Sequence, residues 1–163
     1  MNFSKLLTLI ILFFFQTQLF SQEKQLVYNP EADAKKDIEN AVIRAKAENK
    51  HVFIQVGGNW CPWCVKMHNF YTTDSLIDSI MTADYVSILL NYSRENRNSD
   101  ILANYKYPQR FGFPVILILD ENGELLHTQN TVYLEEDEGY NKKVFIDFLK
   151  AWNMAALNPE NYK

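Results

Sequence analysis

Two cysteines are the residues of this chain best suited to chemistry. Cys61 and Cys64 are the only cysteines among its 163 residues, and only Pro62 and Trp63 separate them. A thiolate is a nucleophile and a metal ligand, so the pair can be a redox centre, part of a metal site or a structural disulfide. A disulfide between such close residues closes almost no loop and therefore contributes little as a structural staple.

The segments around the pair predict where it lies in the fold. The run HVFIQV (51–56) is typical of a strand, two glycines end it, and a helix is predicted to begin at Pro62. The first turn of a helix stabilises an anion, so we expect the pKa of the Cys61 thiol to be lowered. Cys64 follows one turn later, close enough to attack a mixed disulfide formed at Cys61. This assigns Cys61 as the nucleophile and Cys64 as the resolving thiol.

Metal binding by the same cysteines is the alternative. Val65 stands where a c-type haem site needs histidine, and a structural zinc site usually needs four protein ligands. The chain has three histidines, and His68 lies one helical turn after Cys64. Cys61, Cys64 and His68 could together hold Cu(I), which soft thiolates favour. A copper-carrying metallochaperone is therefore the second functional hypothesis.

Composition narrows the class of protein. Hydrophobic residues make up 47% and aromatic residues 14% of the chain, which indicates a globular fold of one domain. The net charge is −4 and no cluster of lysine and arginine stands out, so a nucleic-acid partner is not expected.

The N-terminus predicts export. Lys5 precedes the apolar run LLTLIILFFF (6–15), which has the length of a signal-peptide core and about half that of a membrane-spanning helix. We therefore predict a signal peptide over 1–21 and a mature domain over 22–163, with an uncleaved anchor as the alternative. The mature protein is expected in the periplasm, or else outside the cell, without stable membrane insertion.

Hydrophobic periodicity predicts the element order α-β-α-β-α-β-β-α. The first helix is expected to begin at Asn29 as N-cap, with Pro30 in its first turn. The last helix is expected at about 140–156, with Val144, Phe148 and Trp152 in one apolar row. The four strands are predicted at 51–56, 85–92, 114–120 and 124–129.

Two segments together resemble a known family. FIQVGGNWCPWCVKM and RFGFPVILILDENGELL resemble the thioredoxin-like superfamily, specifically its exported bacterial thioredoxin-family proteins, over residues 31–156. The resemblance implies an α/β thioredoxin-like fold: a central mixed four-stranded sheet flanked by helices, with a leading helix at the N-terminus.

The resemblance also implies roles for residues around the cysteines. Pro114 corresponds to the cis-proline that packs against the disulfide, and Phe113 would offer backbone groups to a substrate peptide. Trp60 corresponds to the tryptophan that shields the site. Pro62 and Trp63 shape the motif, and Cys-Pro-Trp-Cys is closer to the Cys-Pro-Tyr-Cys of glutaredoxins than to the motif of thioredoxins.

One position departs from the family. Thioredoxins carry a buried aspartate six residues before the first cysteine, where this chain has Gln55, and the lysine paired with it corresponds to Leu89. Losing both charges together is coherent, because one buried charge without its partner is costly. The base for Cys64 is then unidentified, with water or solvent ordered by Gln55 as the candidates.

The implied activity is thiol–disulfide exchange with protein dithiols and disulfides. It needs no bound cofactor, but it needs a second dithiol protein as electron partner, which the sequence does not identify. The thioredoxin-like motif favours reduction of substrates over their oxidation. We expect a monomer.

Overall fold

The computed structural model describes residues 26–163, so the predicted signal peptide lies outside the described residues. The elements are, in chain order, α1 (Ala34–Glu48), β1 (His51–Gly57), α2 (Pro62–Thr73), α3 (Ser75–Asp84), β2 (Tyr85–Asn91), α4 (Ser99–Asn104), β3 (Val115–Leu119), β4 (Leu125–Asn130), β5 (Glu135–Glu136), β6 (Gly139–Tyr140) and α5 (Lys142–Ala151). Short 3₁₀ helices occupy Pro108–Phe111, Thr131–Leu134 and Pro159–Tyr162. None of the helices in residues 26–163 is both long and apolar enough to cross a membrane.

The four long strands form the expected mixed sheet in the order β2-β1-β3-β4. β1 pairs with β2 in parallel and with β3 antiparallel, and β3 continues into the antiparallel β4. β1 and β3 are central and buried along their whole lengths, which explains why both read as continuous apolar runs. The small pair β5–β6, within the acidic run before α5, was not predicted.

Side chains alternate along β1 and divide the core into two parts. Val52, Ile54 and Val56 lie on one face of the sheet and pack in a cluster with α1. Phe53 lies on the opposite face, in a cluster with buried residues of α2, α3 and α5. Helices therefore cover both faces of the sheet, and Gln55 shares the face of Phe53 on which α2 packs.

The first helix begins later than predicted. Asp33, not Asn29, is the N-cap: its side chain accepts a hydrogen bond from the Lys36 amide at 3.1 Å. The Asn29 side chain instead accepts from the Glu31 amide at 3.0 Å, within a turn. Tertiary contacts made by the residues before the helix hold this turn in place, and a local pattern cannot show them.

The last helix also differs from its prediction. It begins at Lys142 after an Asn141 N-cap, because β5 and β6 occupy the residues before it. It ends at Ala151, and its buried face consists of Phe145, Phe148 and Leu149. Val144, predicted in the apolar row, is exposed.

Candidate active site

Cys61 and Cys64 form a disulfide at the junction of β1 and α2. Cys61 is the N-cap of α2, Pro62 occupies its first turn as predicted, and the two cysteine Cα atoms are 5.2 Å apart. The Cys64 backbone N–H points at Cys61 Sγ at 3.2 Å. In the reduced pair this N–H and the positive end of the helix would stabilise a Cys61 thiolate.

The two sulfurs differ in exposure. Cys61 retains 5% of its surface, whereas Cys64 is fully buried. Only Cys61 can therefore be reached by a disulfide from outside, and Cys64 can act only on a sulfur already attached to Cys61. This geometry matches the division into nucleophile and resolving thiol.

The loop before β3 lies beside the disulfide. The Phe113–Pro114 peptide bond is cis, Pro114 is buried, and Cys61 Sγ lies 3.7 Å from the Phe113 carbonyl oxygen. The antiparallel pairing of Val56 with Val115 brings this loop to the end of β1 where α2 begins. Thr131 supports it by donating a hydrogen bond to the Pro114 carbonyl at 2.6 Å.

Trp60 forms an exposed wall of the site. Its side chain is 57% exposed, and its indole Nε1–H donates to the Tyr92 carbonyl at 2.6 Å. Its ring meets the edge of Phe113, whose other side packs on Tyr92. A groove of about 450 Å³ runs from Trp60 and Tyr92 along the loop 93–97. Trp60 therefore packs on Phe113, whose carbonyl oxygen lies next to Cys61 Sγ, and borders an open groove.

Trp63 packs inward and away from the groove. Its ring meets Tyr140 edge to face at 5.4 Å between centroids, and the Tyr140 hydroxyl donates to the Trp63 carbonyl at 3.1 Å. Lys66 lies over the outer face of the same ring. Trp63 thus anchors the first turn of α2 to β6, a role that its place in the motif did not reveal.

Gln55 lies directly behind the resolving cysteine. It is fully buried, and its Nε2 donates to the Cys64 carbonyl at 2.9 Å and to the Tyr28 hydroxyl. Its Oε1 has no hydrogen-bond partner among residues 26–163. The β1–β2 register places Leu89 opposite Gln55.

Tyr28 is the residue at the site that sequence reasoning missed. It is fully buried in one cluster with Cys61 and Cys64, and burial raises the pKa of its hydroxyl well above the usual range. Asn59 holds the backbone of Tyr28 by two hydrogen bonds, of 2.9 and 2.7 Å. An aromatic residue between Val27 and Asn29 was the only signal in a segment interpreted as a short lead-in.

The residues proposed as an alternative metal site are not grouped in the structure. Among residues 26–163 no three histidine, cysteine or acidic side chains are grouped to hold a metal ion, so Cys61, Cys64 and His68 do not form a site. His68 is half-buried on α2 with Nδ1 3.2 Å from the Tyr71 hydroxyl oxygen, and burial lowers its pKa. The other two histidines contact Trp152 at the far end of the sheet.

Comparisons with known proteins agree on the fold. The sequence model of a family described as thioredoxin-like matches residues 33–121, more than half of the chain. No curated protein sequence matches the chain at a significant level.

Solved structures give the same picture at low sequence identity. A disulphide isomerase from Xylella fastidiosa Temecula1 superposes with a TM-score of 0.66 at 19% identity, over 78% of this chain and 96% of that one. A DsbH oxidoreductase gives 0.54 at 19% identity, over 74% and 82% of the two chains. A thioredoxin from Thermus thermophilus gives 0.50 at 16% identity, over 69% and 80%.

Proposed function

The chain belongs to the thioredoxin-like family, and on that premise we propose that it is an exported thiol–disulfide oxidoreductase acting on protein substrates through Cys61 and Cys64. The observation that carries the proposal is the position of Cys61 Sγ. It lies at the N-terminus of α2, receives the Cys64 N–H, and faces the backbone of Phe113 beside the cis-proline loop.

The exchange proceeds in two steps that balance without a cofactor. The Cys61 thiolate attacks a substrate disulfide, forms a mixed disulfide and releases the first substrate sulfur as a thiolate. Cys64, after losing its proton, attacks Cys61 Sγ, forms the Cys61–Cys64 bond and releases the second substrate sulfur. Two electrons pass to the substrate, which takes up two protons, and a second dithiol protein must reduce the pair again.

Two features support a polypeptide as the substrate. The groove along loop 93–97 is open and is bordered by the exposed ring of Trp60, the residue directly before Cys61, so an extended chain could reach the disulfide from it. The Phe113 backbone next to Cys61 can pair with such a chain. The wider resemblance of the segments around the cysteines to thioredoxins supports reduction as the direction.

Cysteine variants test the mechanism. Replacing Cys61 (Cys61→Ser) should abolish reduction of an insulin disulfide, because the accessible nucleophile is gone. Replacing Cys64 (Cys64→Ser) should instead accumulate a mixed disulfide that non-reducing electrophoresis detects, because nothing resolves it. Tyr85→Phe, which removes a buried hydroxyl at the other end of the sheet, serves as the control with full activity. Full exchange by the Cys61→Ser protein would refute the assignment.

Export has its own experiment. The full-length chain expressed in a Gram-negative bacterium should be recovered from the periplasmic fraction with a mass that lacks about 21 residues. Recovery of the intact chain from the cytosol would contradict both the export and the cleavage.

A further inference from the structure

The segment before α1 delivers a tyrosine to the back of the disulfide. Asn59, directly before Trp60, holds the backbone of Tyr28 by accepting a hydrogen bond from its N–H and donating one to its carbonyl oxygen. Asn96 donates a third bond to the Pro30 carbonyl at 3.2 Å. These anchors come from the loops that follow β1 and β2, so two parts of the sheet edge fix the position of Tyr28.

The Tyr28 hydroxyl and the Cys64 sulfur both border the space beside Gly57. A Cβ added to Gly57 would lie 2.8 Å from the Tyr28 hydroxyl oxygen and 2.6 Å from Cys64 Sγ, so both atoms adjoin one point. Only glycine at this position leaves room for them. Tyr28 and Cys64 therefore share a small buried space behind Cys61.

Gln55 determines how the hydroxyl can bond. The Cys64 carbonyl accepts from Gln55 Nε2, which identifies that atom as nitrogen, and the same nitrogen donates to the Tyr28 oxygen. The hydroxyl oxygen is thus an acceptor toward Gln55. Its own proton is left to donate elsewhere, and within residues 26–163 it donates to no other group.

Among residues 26–163, no buried acid, lysine or arginine could act on Cys64 in place of the Tyr28 hydroxyl. The buried polar side chains of residues 26–163 are His51, Gln55, Asn91 and Thr131, with no acid, lysine or arginine among them. The titratable groups that interact with Tyr28 are Tyr71 of α2 and Tyr140 of β6, and burial raises the pKa of both. The other titratable side chains of α2 near the motif are Lys66, exposed over Trp63, and the half-buried His68.

We propose that Tyr28 donates a hydrogen bond to the Cys64 thiolate during resolution, with Gln55 as the positioning residue that orients the hydroxyl. The inference deepens the proposed function, on which it rests. When Cys64 loses its proton, its sulfur becomes a charged acceptor beside the Tyr28 hydroxyl, which has a proton free to donate. Tyr28 keeps its proton throughout, because burial disfavours a phenolate. The proton of Cys64 leaves to solvent, and the new Cys61–Cys64 bond consumes the thiolate.

The test measures the pKa of Cys64 as the sole cysteine, in the Cys61→Ser protein, by NMR titration of its ¹³C-labelled Cβ. Adding Tyr28→Phe, which removes only the hydroxyl, should raise that pKa by about one unit or more, because hydrogen bonds to charged groups are the strong ones. Tyr85→Phe in the same background should leave it unchanged. An unchanged Cys64 pKa in the Tyr28→Phe protein would overturn the proposal, whatever the exchange activity of the wild type.

Two further readouts separate this role from a structural one. In the Cys64→Ser protein, Tyr28→Phe should leave the pKa of Cys61 unchanged, and an equal shift at both cysteines would overturn the proposal. With Tyr28 intact in the Cys61→Ser protein, its ¹³Cζ resonance should move with the same midpoint as the Cys64 Cβ. A Tyr28 resonance that stays constant through the Cys64 titration would also overturn it. This readout does not depend on how the Tyr28→Phe variant folds.

Discussion

Gln55 and Leu89 show how single residues keep this site neutral. They are opposite each other in the register of β1 and β2, where the family resemblance implies an aspartate and a lysine. A buried ion pair loses much of its attraction to desolvation, and either charge alone would be costly. A neutral amide can still order the site, because Gln55 reaches both the Cys64 carbonyl and the Tyr28 hydroxyl. Proton handling at Cys64 is therefore expected to rely on hydrogen bonds rather than on a buried carboxylate.

Steric crowding explains why the two positions before the motif, 57 and 58, are glycines. A Cβ at Gly58 would lie 2.6 Å from both Trp60 Nε1 and the Tyr92 carbonyl oxygen, which are hydrogen-bonded to each other. A Cβ at Gly57 would meet Cys64 and Tyr28 at similar distances. The pattern Gly-Gly was interpreted as a strand break, but the strand includes Gly57. Glycine is needed at both positions because these side chains and the Tyr92 carbonyl approach the backbone too closely for a Cβ.

Replacing Gly57 (Gly57→Ala) should lower the free energy of unfolding by about 1–3 kcal/mol, because the added methyl group overpacks a buried site. Urea unfolding of the oxidised protein measures this change. Gly139→Ala is the matched control, because a Cβ there meets nothing closer than 3.9 Å, and its effect should stay within about 0.5 kcal/mol. Equal effects of the two variants would contradict the crowding at Gly57.

At the scale of elements, the site is assembled from the ends of β1 and β3. β1 ends where α2 begins, which supplies the helix N-terminus, and β3 begins after the cis-proline, which supplies the neighbouring loop. Because the two strands are antiparallel neighbours, the end of one meets the start of the other. The segment before α1 adds the third side, behind Cys64.

The start of α1 gives a prediction at this scale. Asp33→Ala should lower the free energy of unfolding by about 1 kcal/mol, because the Lys36 amide loses its cap. Asn29→Ala should have a smaller effect, because Asn29 only closes an exposed turn. Urea unfolding of both variants compares the two caps, and a larger loss for Asn29→Ala would place the start of the helix where the sequence pattern predicted it.

At the scale of the whole molecule, the reduction potential of the Cys61–Cys64 pair depends on several parts of the fold. Helix, loop and buried hydroxyl together determine the difference in stability between the reduced pair and the disulfide. The outer side of the site carries the exposed Trp60 and the groove along loop 93–97, while Gln55 and Tyr28 lie in the interior. The two sides can therefore be altered separately.

The reduction potential of the Cys61–Cys64 pair should lie near or below about −250 mV, as for reductants of the thioredoxin type. Equilibration of the mature protein with defined thiol–disulfide buffers measures it. A value near about −120 mV would identify an oxidant that introduces disulfides, and the proposed direction would then be wrong.

Local patterns in the sequence were sufficient for the order of the long strands along the chain and for the two cysteines, whereas the fold class came from the resemblance of two segments to a known family. These features are local: an apolar strand, a proline after Cys61 and the spacing of the motif each involve only residues that are neighbours in sequence. They can therefore be recognised without a structure. Helix starts at Asp33 and Asn141 were misplaced, because the residues before them are held by tertiary pairing.

Only the tertiary structure decided what surrounds the resolving thiol. Tyr28 lies 36 positions before Cys64 in the chain, and no periodicity connects a tyrosine in a lead-in segment with a sulfur on α2. Their proximity results from Asn59 clamping the segment and from glycine at position 57 leaving space for both atoms. A chemical group made of neighbouring residues can be recognised from the sequence alone. An interaction between distant residues depends on the packing that brings them together, so only the structure reveals it.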